Sequence, residues 1–416
     1  MLANARVSRR ALLALSGCAA CQLCAGLFYA TRVLAPDVIG DLGWTRTMWS
    51  SAMAPMLLVS SISQPLVGVA CVRFGVRPVV VGSLLVIALT FVVLAGMQSL
   101  WHFYVAMALL ALGNAGIGDV VISSVVTRWF DRARGLALGI AFAGSNVGAI
   151  VTVQLMATLA QSDSWRRAAL LVGVGSVALV LPIAMLTIQE PRPEEEAQDP
   201  ATDETGKPKA VRVESMPLTR AIRRPAFWVF FYTLGCYALT QLGMIDHLVL
   251  YLTDLGYSKL EAAGALEFTV GAGIVSKLAA GIIALRLSAK RALVINTALL
   301  ASSFALIPFA DSPVVLGIFG LVFGVSTAAR DVLFPLLVAR VFGPRHLAAI
   351  YGFLMISYFP GGGLGPIGLA RVHDVLGSYE LGFGLCAGLV GAAAIALLTI
   401  SQRDEHRRRG SDSRER

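Results

Sequence analysis

Gly68-Val69-Ala70-Cys71-Val72-Arg73-Phe74-Gly75-Val76-Arg77-Pro78, a short basic stretch between two long apolar runs, decides how the chain is read, because it occurs twice. Its weaker copy is Gly281 to Arg291, GIIALRLSAKR, in which Gly281 stands for Gly68, Arg286 for Arg73 and Lys290 for Arg77, an offset of 213 residues. The offset recurs: Asp41-Leu42-Gly43-Trp44-Thr45 reappears as Asp254-Leu255-Gly256-Tyr257-Ser258. One residue short of it, Asp119, Arg128 and Phe130 reappear as Asp331, Arg340 and Phe342. Three anchors in one order over half the chain mark two homologous halves.

The apolar runs on either side are of membrane length. Of 416 residues 56% are hydrophobic and only 14% charged, with mean hydropathy +0.74, far more apolar than a soluble chain whose surface must be wetted. Runs of about 20 residues, the length a helix needs to cross the hydrocarbon of a bilayer, alternate with basic or Gly/Pro-rich breaks. They fall near 11–36, 47–68, 78–98, 102–127, 135–160, 168–188, 226–248, 262–284, 291–310, 313–338, 347–370 and 380–400. The prediction is an all-α polytopic membrane protein with twelve transmembrane helices in two six-helix pseudo-repeats. Residues 1–190 form the first half and 221–402 the second. Between them 191–220, acidic then basic and poor in large apolar side chains, reads as a flexible linker, and 403–416 as a solvated tail.

Six crossings return each half to its starting side, so both copies of the basic loop face one compartment. About 26 of the 34 Lys and Arg fall on that side, which the positive-inside rule makes cytoplasmic, with both termini. The net charge of +9 therefore expresses topology and contact with anionic lipid headgroups; no basic patch is interleaved with aromatics, and nucleic acid is not an expected partner. Short loops favour a bacterial inner membrane. Ser8-Arg9-Arg10 followed by Leu15-Ser16-Gly17-Cys18 mimics an export signal, but cleavage there would remove most of the first span, so Arg6, Arg9 and Arg10 read as its cytoplasmic anchor. Cys18, Cys21 and Cys24 recur at helical spacing and read as packing residues, like Cys71, Cys236 and Cys386, with no metal spacing among them.

Function is expected where polar groups interrupt the spans, since a charge in the hydrocarbon costs a few kcal/mol and faces a partner or a water-filled path. Tyr29 and Arg32 lie on the first span, Asp119 on the fourth, Tyr237, Gln241 and His247 on the seventh, Glu267 and Lys277 on the eighth, Arg330 and Asp331 on the tenth, and Tyr358 on the eleventh. The third, sixth, ninth and twelfth read as an apolar jacket. The cations, with tyrosine and amide groups beside them, are candidate ligands for an anion: Lys277, Arg330, Arg32, Tyr29, Tyr237, Gln241 and Tyr358. Asp119, Glu267, Asp331 and His247 are candidates for proton coupling or gating. Gly135, Gly139, Gly144 and Gly148 form small-xxx-small pairs that admit close helix contact, and Pro360–Gly368 predicts a bend. No phosphate loop, zinc spacing or nucleophile elbow occurs, so neither an enzyme nor a cofactor is expected and transport would draw on a gradient.

GVACVRFGVRP, with Gly68, Arg73, Gly75 and Arg77, resembles the signature loop of the major facilitator superfamily, and the resemblance spans nearly the whole chain. The family's usual acid falls on Val72 and the following basic position on Val76, so its usual charge latch is not expected; the arginine of proton-coupled drug exporters falls near Leu112. GWTRTMWSSA, RWFDRARGLALGIAFAGSNVG, HLVLYLTDLGYSKLEAAG and LGPIGLARVHDVLGSY are similar to the monocarboxylate and oxalate/formate exchanger branch. That resemblance implies a small organic anion moved by alternating access; a secondary transporter coupled to protons or to a counter-anion, acting as a monomer, is expected. Lys277 stands where the branch tends to carry a basic substrate residue, and His247 stands in its usual His-Leu-Val context. Export of hydrophobic compounds, or a sensor that kept the fold and lost transport, are the competing readings.

Overall fold

The computed structural model describes residues 8–130, 133–191 and 215–400, and within them twelve helices are long and apolar enough to cross a membrane. They are α1 Arg9–Val33, α2 Pro55–Phe74, α3 Val76–Ala95, α4 Leu100–Trp129, α5 Arg134–Ser162, α6 Trp165–Thr187, α7 Pro225–Asp254, α8 Gly264–Ala284, α9 Ala289–Phe309, α10 Pro313–Phe342, α11 Leu347–Leu376 and α12 Glu380–Thr399. No strand occurs among the described residues. The all-α, twelve-span expectation holds. Most of the proposed linker and all of the tail lie outside the described residues; at the end of the linker Leu218–Ala221 forms a short helix, where a flexible segment was expected.

The Gly68–Pro78 stretch is barely a loop. Helix α2 runs on to Phe74 and α3 begins at Val76, so the chain reverses at Gly75, whose φ of +86° no β-carbon would tolerate cheaply. One basic residue of each copy then caps the last helix of its own half. Arg77 Nε donates to the Ile188 carbonyl at 3.1 Å, just past α6, and in the copy Lys290 Nζ donates to Leu398 and Ile400 at 2.7 and 2.6 Å, at the end of α12. Each places a cation on carbonyls that a helix C-terminus leaves unpaired, where the helix dipole also favours it. The missing acid at Val72 is replaced from elsewhere in the chain. Glu190 accepts from the Val76 N–H at 2.9 Å, at the start of α3, and from Arg128 at 2.6 Å, at the end of α4.

The halves meet through glycines on the face where α1 begins and α12 ends, here termed the terminal face. A Cβ on Gly135 of α5 would sit 2.9 Å from the Gly281 carbonyl oxygen of α8, and one on Gly139 would sit 2.6 Å from that of Lys277. The partner interface repeats this geometry. A Cβ on Gly68 of α2 would sit 2.9 Å from the Ala348 carbonyl carbon of α11, and one on Gly352 would sit 2.6 Å from the Gln64 carbonyl oxygen. Gly68 with Ala348 maps onto Gly281 with Gly135, and Gly352 with Gln64 onto Gly139 with Lys277, all at the offset of 213. The repeat read in the sequence is thus a repeat of contacts. Gly144 and Gly148, by contrast, pack α5 on Ala19 and Leu23 of α1.

Two helices break where polar groups gather. Helix α4 is interrupted at Gly118, which is extended at φ −86°, ψ −164°, and restarts at Asp119. Helix α11 passes through a 3₁₀ turn at Met355–Ser357, so its irregularity precedes the bend expected at Pro360–Gly368; the helix continues over those glycines with Pro366 inside it. All six cysteines are free and buried.

Candidate functional site

About ten residues from their ends at the terminal face, or ~15 Å of helix rise, α4, α8 and α10 bring four charges together near mid-membrane. Lys277 Nζ lies 3.1 Å from Asp331 Oδ2. The other carboxylate oxygen accepts from the Arg330 guanidinium, which also donates to the Tyr358 hydroxyl and lies 5.1 Å from the centre of that ring. The three side chains are 10%, 16% and 7% exposed for Lys277, Asp331 and Arg330, so their charges are held largely out of water and must neutralise one another. Lys277 also donates to Ser145 Oγ of α5 at 3.2 Å, which ties the cluster across the interface between the halves.

Asp119 is the fourth charge. It lies within electrostatic range of Asp331, Arg330 and Lys277, yet among the described residues its carboxylate has neither an ion pair nor a hydrogen bond. Tyr351 of α11, completely buried and within range of Asp119 and Arg330, has a hydroxyl with no hydrogen-bond partner. Gln64 Oε1, Asn114 Oδ1 and Arg330 Nε are likewise buried and unpartnered.

The remaining predicted residues divide into three places. Tyr237 is fully buried beside the cluster, but its hydroxyl points into the second half, accepting from Asn296 Nδ2 at 2.9 Å and lying 3.2 Å from Thr297 Oγ1. Asn296 also donates to the Ser326 carbonyl at 2.8 Å. Helix α9 is therefore not plain jacket: its buried amide is the strut that sets Tyr237 and α10. Gln241, one turn further along α7, is half-buried.

Toward the opposite, far face, Tyr29 and Arg32 of α1, Asp246 of α7 and Glu267 of α8 are exposed. Charge within a span is costly unless it reaches water, headgroups or a partner. Arg32 packs 5.0 Å from the centre of the Phe28 ring and lies within electrostatic range of Asp246. His247, next to Asp246 and within its electrostatic range, is itself buried. Its Nε2 donates to the Pro366 carbonyl at 3.0 Å, which leaves Nδ1 to accept from the Tyr379 hydroxyl at 3.1 Å, a brace joining α7, α11 and the start of α12.

The cluster thus unites Lys277, Arg330, Asp331, Asp119 and Tyr358, and leaves Arg32, Tyr29, Glu267 and His247 outside it. Sequence reasoning missed Asn296, Ser145, Gln64 and Tyr351. An amide in mid-span was itself a signal for Asn296. Carrying Lys277 back by 213 would have found Gln64.

The Major Facilitator Superfamily profile matches residues 18–366, with a second match over 264–416. The chain belongs to the Major Facilitator Superfamily. It is a membrane transporter of that superfamily and not an enzyme. It is 26% identical to monocarboxylate transporter 13 of Bos taurus over 357 residues, 85% of this chain and 80% of that protein. It is 25% identical to the oxalate:formate antiporter of Oxalobacter formigenes over 252 residues, 60% and 56% of the two. Among solved structures the Escherichia coli fucose:proton symporter superposes with a TM-score of 0.74 at 16% identity, covering 94% of this chain and 98% of that one. The human organic anion transporter MFSD10 superposes at 0.69 and 17% identity, covering 94% and 100%. Both likenesses are of fold.

Proposed function

We propose that the protein is a secondary active transporter of a small organic anion of the monocarboxylate type, working by alternating access. The observation that carries this reading is the buried meeting of Lys277 and Arg330 on one carboxylate, Asp331; the exposed Arg32, Asp246 and Glu267 toward the far face support a water-filled vestibule leading to it. A guanidinium offers a fork of donors matched to a carboxylate, and an ammonium adds a compact charge. An anion arriving from the far face finds both, together with the Tyr358 hydroxyl, shielded from water. The names of the relatives point to the same substrate class.

The glycine contacts give the motion its geometry. With backbone against backbone at Gly68, Gly135, Gly281 and Gly352, the halves separate there without unthreading side chains. On the far face the same rocking brings Arg32 toward Asp246. The excess of basic residues beside the terminal face supports cytoplasmic termini in a bacterial inner membrane, which makes the present state outward-facing.

The test is uptake of labelled short monocarboxylates into proteoliposomes by the wild type and by Lys277→Gln. Uptake by the wild type and a loss of at least ~100-fold in the variant are expected, equivalent to about 2.7 kcal/mol of transition-state stabilisation. Equal uptake by the variant removes Lys277 from the site, and flux of lipophilic compounds alone overturns the substrate class.

A further inference from the structure

From the charges around the cluster we infer that the coupling proton is carried by Asp119, and that Asp331, its equivalent in the second half, is a fixed counter-ion. The inference rests on the anion-transport reading above.

Asp119 and Asp331 stand at matching places in the two halves, and their surroundings differ. Carried back by the repeat, Lys277 falls on Gln64 and Arg330 on Gly118, so the first half kept the acid without either cation. Asp331 is occupied: Lys277 and Arg330 both bind it, and adding a proton there would break two charge-assisted contacts at once. Asp119 has no such contact to lose.

The charged groups reaching Asp119 are Asp331 and Arg330 from α10 and Lys277 from α8; the ionisable hydroxyls on α11 are Tyr351 and Tyr358. With Asp119 ionised the four charges sum to zero. A monocarboxylate entering then leaves the buried cluster one negative charge in excess, a costly state in a low dielectric. A proton from the vestibule, bound to an Asp119 oxygen as the anion binds, returns the sum to zero. It leaves with the anion at the terminal face.

A second observation agrees. A protonated carboxyl needs an acceptor for its new O–H, and the side facing α2 and α11 has oxygens to spare. The Tyr351 hydroxyl and Gln64 Oε1 are buried without partners, and they stand on helices in backbone contact at Gln64 and Gly352. Glu267 and His247 do not compete for this role: the first is exposed in the vestibule and the second is bonded at both nitrogens within the second half.

The test compares the wild type with Asp119→Asn, Asp119→Glu and Asp331→Asn in proteoliposomes loaded with pyranine. Anion accumulation under an imposed pH gradient, proton entry and exchange of labelled anion are read in parallel, and folding is checked by thermal unfolding. For Asp119→Asn, gradient-driven accumulation and anion-dependent proton entry are expected to fall at least tenfold, exchange to remain measurable, and its pH dependence to flatten. Asp119→Glu restores proton entry, and Asp331→Asn loses exchange as well.

Proton entry surviving in folded Asp119→Asn overturns the inference while leaving the transport reading intact, as does accumulation driven by sodium and indifferent to pH. Failure of the wild type to move any short carboxylate overturns the transport reading itself. Should Asp119→Asn not fold, a wild-type pH profile of proton entry that Asp119→Glu leaves unmoved overturns the inference.

Discussion

The two halves share a backbone plan and part company in where they keep their charges. In the first half the ion pairs lie at the ends of helices. Asp41, before α2, accepts from Arg166 and from the Trp165 indole at the start of α6 on the far face, and Glu190 binds Arg128 and the Val76 N–H on the terminal face. The middle of that half holds Asp119 and amides. In the second half the middle holds Lys277, Arg330 and Asp331, while the far-face aspartate, Asp254, meets His373 at 3.8 Å, a partner charged only when protonated. The first half is clasped at its rims and uncommitted at its centre; the second is committed at its centre. One duplicated fold can therefore divide labour, with one half holding the anion and the other setting the charge balance.

The strongest blow to this contrast is Asp331→Asn, which strands two buried cations. Breaking a buried ion pair by removing one partner costs roughly 3–5 kcal/mol, so a large fall in thermal stability with complete loss of uptake is expected. A variant that unfolds like the wild type would mean that the second half is not committed at its centre.

Next in size are the interface glycines. Gly139→Ala and Gly352→Ala add the same methyl at equivalent places, each against a backbone oxygen that cannot step aside, and overpacking of this kind costs about 1–3 kcal/mol. Both should shift the protein toward opening at the terminal face, read as increased labelling of cysteines introduced there. Equal shifts sharpen the symmetry of the interface, and a shift in only one breaks it.

Asn296→Ala removes the strut under Tyr237 and leaves a buried phenol and a carbonyl short of a donor. A loss of about 1–3 kcal/mol is expected in thermal unfolding, with weaker anion affinity as Tyr237 and α10 loosen. The change at the equivalent place in α3, Ser83→Ala, should cost less, since Ser83 holds no such network.

The smallest effect concerns the far-face clasp of the first half. Hydrogen bonds from Arg166, then from Trp165, hold the Asp41 carboxyl below its ordinary range. A depressed folded-state value means that the clasp stabilises above the unfolded carboxylate range and is lost as pH falls through the folded value. Acid unfolding of Asp41→Asn should therefore converge on that of the wild type at low pH and lie slightly below it at neutral pH. A constant difference across pH would show that the clasp is not electrostatic.

The span count, the repeat and the glycine pairs were legible in the sequence because each is a regularity: apolar length, a fixed offset, a spacing of four. Lys277, Arg330, Asp331 and Asp119 were legible as charges in apolar runs, but their pairing was not. That depends on which helix faces cross the axis, and Lys277 is closer to Ser145, 132 residues away, than any periodicity announces. The replacement of the Val72 position by Glu190 was equally hidden, since a carboxylate supplied from the end of α6 leaves no trace in the loop it serves. Arg32 and Glu267 looked like site residues because charge in a span is informative about water and silent about which part of the aqueous path is meant.

The vestibule proposed on the far face has a consequence for how the protein can be stopped. A convex protein binder, such as a single-domain antibody with a long third loop, would fit between the two halves on that face. Wedged there, it would need no knowledge of the substrate. By selecting the one state in which the terminal face is shut it would act as a doorstop, and its own affinity would set how much added heat the protein survives.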